Sequence, residues 1–185
     1  MTSKPIITLL LLCCLIGISS LSLAGDILVD DASVIEINGS PVVRSHMQFQ
    51  FSDAAIEALQ SGVGLHVEFN LKIKRERRFM WDKSIVRLSK RIKLERHALT
   101  DRYIVTDLLE DQRRIFESLE AAFEGINEMS DIPVGSFTEL KNDNYILAVR
   151  ARLDIEALPA PLRPIAYVSP SWRMSSGWFE WNTLR

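Results

Sequence analysis

The histidines are the first residues to consider for chemistry, because imidazole serves both as a general base and as a metal ligand. His46, His66 and His97 are separated by 20 and 31 residues, so the chain has no HxH or HExxH grouping of the kind that binds zinc. Each histidine is therefore expected to be an ordinary strand or loop residue.

Adjacent acidic residues occur at Asp30-Asp31 and Glu110-Asp111. Neighbouring carboxylates on a strand point to opposite faces, whereas two catalytic carboxylates must converge on one bond. The chain beyond residue 24 also has no GxSxG sequence, phosphate-binding glycine loop or EF-hand loop. We expect these acids to be solvated, and we expect no metal or cofactor. Residues that are distant in sequence could still assemble an enzyme site.

Charge is distributed unevenly along the chain. Between Lys72 and Arg96, eleven basic residues stand against three acidic ones, a net charge of +8. From residue 25 onward the whole chain carries −3, so the remainder of it carries −11. On paired strands, the alternate basic positions would form one positive face, and this candidate interaction surface consists of Lys72, Lys74, Arg87, Arg91 and Lys93.

A positive sheet face would attract an acidic protein partner or the phosphate groups of lipids, with an affinity that falls as salt rises. The alternative is a solvated face whose lysines and arginines protect strand edges. A third outcome is neutralisation by the acidic segment from Glu117 to Glu128. Nucleic acid is not an expected partner, because an exported protein rarely meets it.

The tryptophans Trp81, Trp172, Trp178 and Trp181 are the other notable residues. Aromatic rings on a flat sheet can stack on sugars, but tryptophan also fills the core or the open end of a sandwich. Trp178 and Trp181 are three residues apart, so in a strand they point to opposite faces. The sequence therefore favours core or edge packing over a carbohydrate platform.

The first 24 residues have the plan of a secretory signal peptide. Lys4 precedes an apolar run from Ile6 to Ile18, and Ser22-Leu23-Ala24 places small residues before a cut at Gly25. The apolar run is shorter than the roughly 20 residues that span a membrane as a helix, which favours cleavage over a retained anchor. Cleavage also removes both cysteines, which excludes disulfides and thiol chemistry from the mature protein. We expect a periplasmic or secreted protein.

Strict alternation of apolar and polar residues predicts several strands. The clearest run from Gly64 to Ile73 and from Tyr145 to Ile155. Val86 to Leu94 alternates as well, although Lys90 interrupts its apolar row, and the Trp81-Asp82-Lys83 turn would pair it with the first run. Other candidates are Ser33 to Ile37 and Val42 to Phe51, joined at Asn38-Gly39, then Tyr103 to Thr106, and Gly177 to Leu184.

Two segments have the helical period. Asp53 to Gln60 is capped by Ser52 and stopped at Gly62. Ile115 to Ile126 carries apolar residues at spacings of three and four, with Ser118 as its cap if the helix begins late. In that case Arg113 to Phe116 forms a strand beside Tyr103 to Thr106.

These elements predict a mainly β protein, an antiparallel β-sandwich of immunoglobulin-like or similar type, with one or two short helices packed at its edge. Pro159, Pro161 and Pro164 punctuate the chain after Ile155, and no proline-rich or Gly/Ser-rich linker divides the rest. The chain has no internal repeat, and 161 residues suit one core. We therefore expect one domain after the signal peptide.

The order of these features resembles domain-of-unknown-function family 4390, a family of exported proteobacterial proteins. The segments that carry the resemblance are the signal peptide, the Ser52-to-Leu59 helix, the Gly64-to-Ile73 strand, the basic strands through Arg96, Tyr103-Ile104-Val105, Ser118 to Ala122, Leu153-Asp154, Leu158-Pro159, Trp172 and Trp178 to Trp181. The resemblance implies an exported domain without assigned activity, whose genes often neighbour those of a membrane sensor kinase and a ribosomal RNA methyltransferase. It supplies no functional residues.

The sequence thus favours an exported, non-enzymatic module that binds a protein partner in the cell envelope, with the external domain of a sensor kinase as one candidate. The first alternative is a binder of anionic lipid or lipopolysaccharide phosphate through the basic face. The second is an enzyme whose site is assembled from distant residues.

Overall fold

The computed structural model describes residues 25–75, 83–135 and 145–182. The predicted signal peptide, the Trp81-Asp82 part of the predicted turn and the last three residues of the chain lie outside the described residues. The described part is mainly β and forms two antiparallel sheets, one of three strands and one of six, so the predicted β-sandwich class is confirmed.

The smaller sheet has the strand order β1-β2-β7, with β1 at Asp26–Ile37, β2 at Ser40–Gln50 and β7 at Ile132–Pro133. Asn38 and Gly39 both have positive φ, 51° and 77°, and turn β1 directly into β2. This is the backbone that a two-residue hairpin requires, and it confirms the Asn-Gly prediction. The first strand begins earlier than the sequence indicated, because Asp26 to Val29 already pair with β2.

The larger sheet has the order β6-β5-β4-β3-β8-β9. Its strands are β3 (Leu65–Arg75), β4 (Lys83–His97), β5 (Arg102–Asp107), β6 (Gln112–Phe116), β8 (Tyr145–Leu153) and β9 (Phe179–Asn182). All neighbouring pairs are antiparallel. β8 ends two residues earlier than predicted, because Asp154 caps a 3-10 turn over Ile155–Ala157 through its side chain.

Three short helices accompany the sheets: α1 at Asp53–Gln60, α2 at Leu119–Met129 and α3 at Arg163–Val168, with a further 3-10 turn at Pro170–Trp172. Ser52 Oγ accepts a hydrogen bond from Ala55 N–H, and Ser118 Oγ accepts one from Ala121 N–H, so both predicted caps are confirmed. The late start of α2 leaves Arg113 to Phe116 in β6, paired with β5.

The core lies between the sheets. The alternating side chains of β3 supply fully buried residues, Leu65, Val67, Phe69, Leu71 and Ile73, and β2 supplies Met47 and Phe49 from the other side. Helix α2 bridges the two sheets. Its Asn127 amide exchanges two 3.0 Å hydrogen bonds with the backbone N–H and carbonyl of Met47 in the smaller sheet, and its Glu128 forms an ion pair with Arg114 on β6 of the larger sheet. Packing on this inner side leaves the opposite face of β3 and its neighbours, here called the outer face, for polar residues.

Candidate interaction surface

The five basic residues singled out from the sequence all lie on the outer face. Lys72 on β3 is directly opposite Arg87 on β4, while Arg91 is opposite Glu68 and Lys93 is opposite His66. Lys74 follows two residues after Lys72 on the same side of β3. The alternation of β3 and β4 thus brings all five to one surface of the sheet.

Three of these five cations already have acidic partners. Lys74 Nζ lies 2.7 Å from Glu180 Oε1 on β9, and Lys93 Nζ lies 2.6 Å from Glu95 Oε1 on its own strand. Arg91 Nε lies 3.6 Å from Asp154 Oδ2 at the end of β8. The positive face is therefore much smaller than the sequence suggests.

The acidic segment around α2 does not provide this neutralisation. Glu117 pairs with Arg102 at 3.4 Å, and Glu128 forms an ion pair with Arg114. Arg114 lies on the side of β6 opposite to Arg113 and Ile115, and it faces the helix. The acidic partners of the outer face come instead from β4, β9 and the end of β8.

Lys72 and Arg87 remain without a carboxylate partner among the described residues, and two further residues adjoin them. Lys72 Nζ lies 3.6 Å from the centre of the Trp178 ring, and Arg150 Cζ lies 4.6 Å from the same ring. Both distances are within the range of a cation–π interaction. We call Lys72, Arg87, Arg150 and Trp178 the cation–aromatic cluster.

The electrostatics of the cluster show positive charge that is not fully balanced. Desolvation lowers the pKa of Lys72, and the positive charges of Arg87, Arg150 and Lys74 lower it further. Glu180 acts in the opposite direction, but its carboxylate is engaged by Lys74. Desolvation and then Arg152 lower the pKa of Arg150 as well. An anion bound here would relieve this repulsion.

Arg150 also has an unused donor. Its buried Nε has no hydrogen-bond partner among the described residues, whereas the neighbouring Arg152 donates from Nε to Glu68 Oε2 at 2.7 Å. Buried donors in folded proteins are normally paired. Arg150 Nε is thus a buried donor left unsatisfied by the described residues, next to the ring of Trp178.

Arg150 and Trp178 are not among the five residues that the sequence assigns to the interaction surface. Arg150 falls on the polar row of the Tyr145-to-Ile155 alternation, and the sequence favours core or edge packing for Trp178. The missing information was the sheet order, which places β8 beside β3 so that Arg150 is opposite Asn70, next to Lys72. Trp172, in contrast, is buried in the core, as expected for a packing tryptophan.

Other kinds of site have less support in the described part of the chain. No group of three or more histidine, cysteine, aspartate or glutamate side chains there could hold a metal ion. Glu110 and Asp111 lie in an exposed turn between β5 and β6. No helix within residues 25–75, 83–135 and 145–182 has the length and apolar character needed to cross a membrane.

A family model for a domain of unknown function, DUF4390, matches residues 24–182. The chain belongs to this family. The match covers both sheets, all three helices and every residue of the cation–aromatic cluster. It confirms the resemblance seen in the order of the sequence features. No curated protein and no solved structure gives a significant match to the chain.

Proposed function

We propose that this member of the DUF4390 family is an exported, non-enzymatic protein-interaction module that binds an acidic surface of an envelope protein through its cation–aromatic cluster. The observation that carries the proposal is the position of Lys72 Nζ, 3.6 Å from the Trp178 ring and without a carboxylate partner among the described residues. Tryptophan and arginine dominate the binding energy of protein interfaces, because they combine large contact area with directed polar groups.

The compactness of the cluster favours a protein over a membrane surface. Lys74, Arg91 and Lys93 are neutralised within the chain. This leaves the charges of Lys72 and Arg150 at the Trp178 ring and that of Arg87 directly across from Lys72. Electrostatic binding to anionic lipid typically uses about four to eight basic residues, each contributing about 1 kcal/mol. One or two carboxylates on a partner match the smaller cluster better.

Export is supported by the signal-peptide plan of the first 24 residues. Cell fractionation and intact mass of the recovered protein test it. The proposal expects a mature chain that begins at Gly25 in the envelope fraction, and a full-length chain in the cytoplasm would overturn this part of it.

The partner is sought by photo-crosslinking in the producing cells. A benzophenone amino acid at Ser89, an exposed outer-face position opposite Asn70, should capture a specific envelope protein. The matched control places the same probe at Glu57, which is exposed on α1. The captured protein is then identified. The first candidate for it is a sensor kinase, bound through its external domain, which the gene neighbourhood of the family suggests.

The charge dependence of capture decides the proposal. The double substitution Lys72→Glu with Arg87→Glu should abolish the adduct at position 89, and added salt should weaken it. If position 89 gives no adduct, or gives one that charge reversal and salt leave unchanged, the outer face is not the docking surface.

A further inference from the structure

We propose that a groove at the opposite edge of the six-stranded sheet binds a free single-chain amphipathic monoanion, such as a fatty-acid carboxylate. The groove has a volume of about 620 Å³ and is lined by His97, Thr100, Arg102, Ile104, Arg113 and Ile115. That volume falls in the range of roughly 300 to 1,000 Å³ that is usual for small-molecule sites.

The register of β5 and β6 gives the groove an apolar middle and two charged ends. Ile104 lies directly opposite Ile115, and Arg113 lies opposite Thr106 at one end of this pair. Arg102 lies opposite His97 at the other end. Thr106 lies four positions after Arg102 on β5, a length of about 13 Å along the strand. A ligand that follows the groove therefore meets a cation, then aliphatic surface, then a second charged end.

The middle of the groove is unusually apolar for a solvated sheet face. The aliphatic side chain of Ile115 is 61% exposed and occupies the position between Arg113 and Glu117 on the same side of the strand. Covering this side chain and Ile104 with an aliphatic chain removes both from water, which is favourable in proportion to the area covered.

The two charged ends differ, and the difference selects a ligand with one negative group. Arg113 has no carboxylate partner within the described part of the chain, and the hydroxyl of Thr106 across from it has no hydrogen-bond partner there. At the other end Arg102 already has Glu117 at 3.4 Å. A head group is thus held at Arg113, while Arg102 at the far end is engaged by Glu117 and offers no free cation to a second anionic group.

This site is distinct from the cation–aromatic cluster. β5 and β6 form one edge of the sheet, whereas Trp178 precedes β9 at the other edge. Four strands of the sheet order lie between β6 and β9, so the two sites can be altered separately. Charge reversal at Lys72 and Arg87 should leave binding in the groove unchanged, which keeps the two proposals independent.

Isothermal titration of the purified protein with decanoate, below its micelle-forming concentration, tests the groove. Saturable one-to-one binding is expected, and each methylene from hexanoate to decanoate should improve the dissociation constant by up to about fourfold. Decanol, which has the same chain without the charge, should bind at least about tenfold more weakly.

Arg113→Gln should weaken decanoate binding at least about tenfold, because it removes the cation at the head group. Arg114→Gln is the matched control, since this neighbouring residue faces α2 and should leave the affinity unchanged. Absence of saturable binding, or equal losses in the two variants, would overturn the proposal. Arg113-dependent sedimentation with phosphatidylglycerol vesicles in the absence of decanoate binding would also overturn it, since the site would then belong to a membrane surface.

Discussion

Lys90 Nζ lies 2.8 Å from Asp107 Oδ2 in the interior, with the two side chains only 5% and 1% exposed. The ammonium also donates to the Asp131 carbonyl at 3.0 Å. The other carboxylate oxygen, Asp107 Oδ1, accepts from the backbone N–H groups of Leu109 and Glu110. The pair thereby ties β4 to the β5–β6 turn and to the segment that follows α2.

Removing one member of this pair should be costly, because the other charge stays buried. Lys90→Met and Asp107→Asn are each expected to lower the free energy of unfolding by about 3 kcal/mol or more. Asparagine keeps an oxygen for the Leu109 N–H, so its effect reports mainly on the lost charge. Urea unfolding of both variants and of the double variant measures the coupling. The double variant should lose less than the sum of the two, and strict additivity would show that the charges do not interact.

The Asn127 amide is a second buried polar link, between α2 and Met47 of β2. Asn127→Leu removes both hydrogen bonds and leaves the Met47 N–H and carbonyl without those partners. We expect the free energy of unfolding to fall by about 2 to 4 kcal/mol, as for two unsatisfied buried groups. Gln48→Leu, which removes an exposed amide of β2 that donates to Asp30 of β1, is the control and should cost less than about 0.5 kcal/mol. Similar losses in the two variants would contradict a bridging role for Asn127.

Gly125 of α2 allows the helix to approach β6 closely. A methyl group at this position would collide with the ring of Phe116. Gly125→Ala should therefore lower the free energy of unfolding by about 1 to 3 kcal/mol, although alanine favours an isolated helix. Thermal unfolding of this variant, alone and combined with Phe116→Leu, measures the effect. Stabilisation by Gly125→Ala alone would show that the helix and strand can separate freely.

His66 on the outer face should make stability dependent on pH. Burial lowers its pKa from the ordinary value of 6.5, and Lys93 and Arg91 lower it further, against the opposing charges of Asp154 and Glu95. As the pH falls, the His66 imidazole therefore becomes protonated at a higher pH in the unfolded chain than in the folded protein. It follows that the free energy of unfolding falls as the pH decreases below about 6.5.

Urea unfolding at about pH 7.5 and about pH 5.5 measures this dependence on the two sides of the unfolded histidine pKa. His66→Gln should lose less stability than the wild type over that interval. Since the carboxylates titrate in both proteins, only the difference between them reports on His66. An identical loss in the two proteins would rule out the histidine as the source.

Much of the larger sheet could be predicted from sequence, because a sheet with one buried face imposes a period of two. The buried row of β3 and the cap of α1 follow directly from this local reasoning. Local reasoning fails at Lys90, which the sequence indicates as an interruption of the apolar row of β4. The buried row of the strand in fact includes this lysine, because Asp107 of the next strand compensates its charge. A distant partner of this kind has no local signal.

The candidate site was only partly predictable for the same reason. Alternation placed the five basic residues on one face, but the partners that neutralise Lys74 and Arg91 come from β9 and the end of β8. Arg150 joins Lys72 only because β8 pairs with β3 across a long connection. Which cations remain available to a partner is thus decided by the sheet order and not by the charge of the segment.

The dissociation constant of the captured partner, measured for two matched charge reversals, tests the central claim most directly. Lys72→Glu changes a cation of the cluster, whereas Lys93→Glu changes one that Glu95 already neutralises, and both alter the net charge equally. Docking at the cluster predicts that Lys72→Glu weakens binding by about 30-fold or more, equivalent to about 2 kcal/mol, and that Lys93→Glu weakens it several times less. Equal losses in the two variants would contradict the account, because binding would then follow overall charge and not the cation–aromatic cluster.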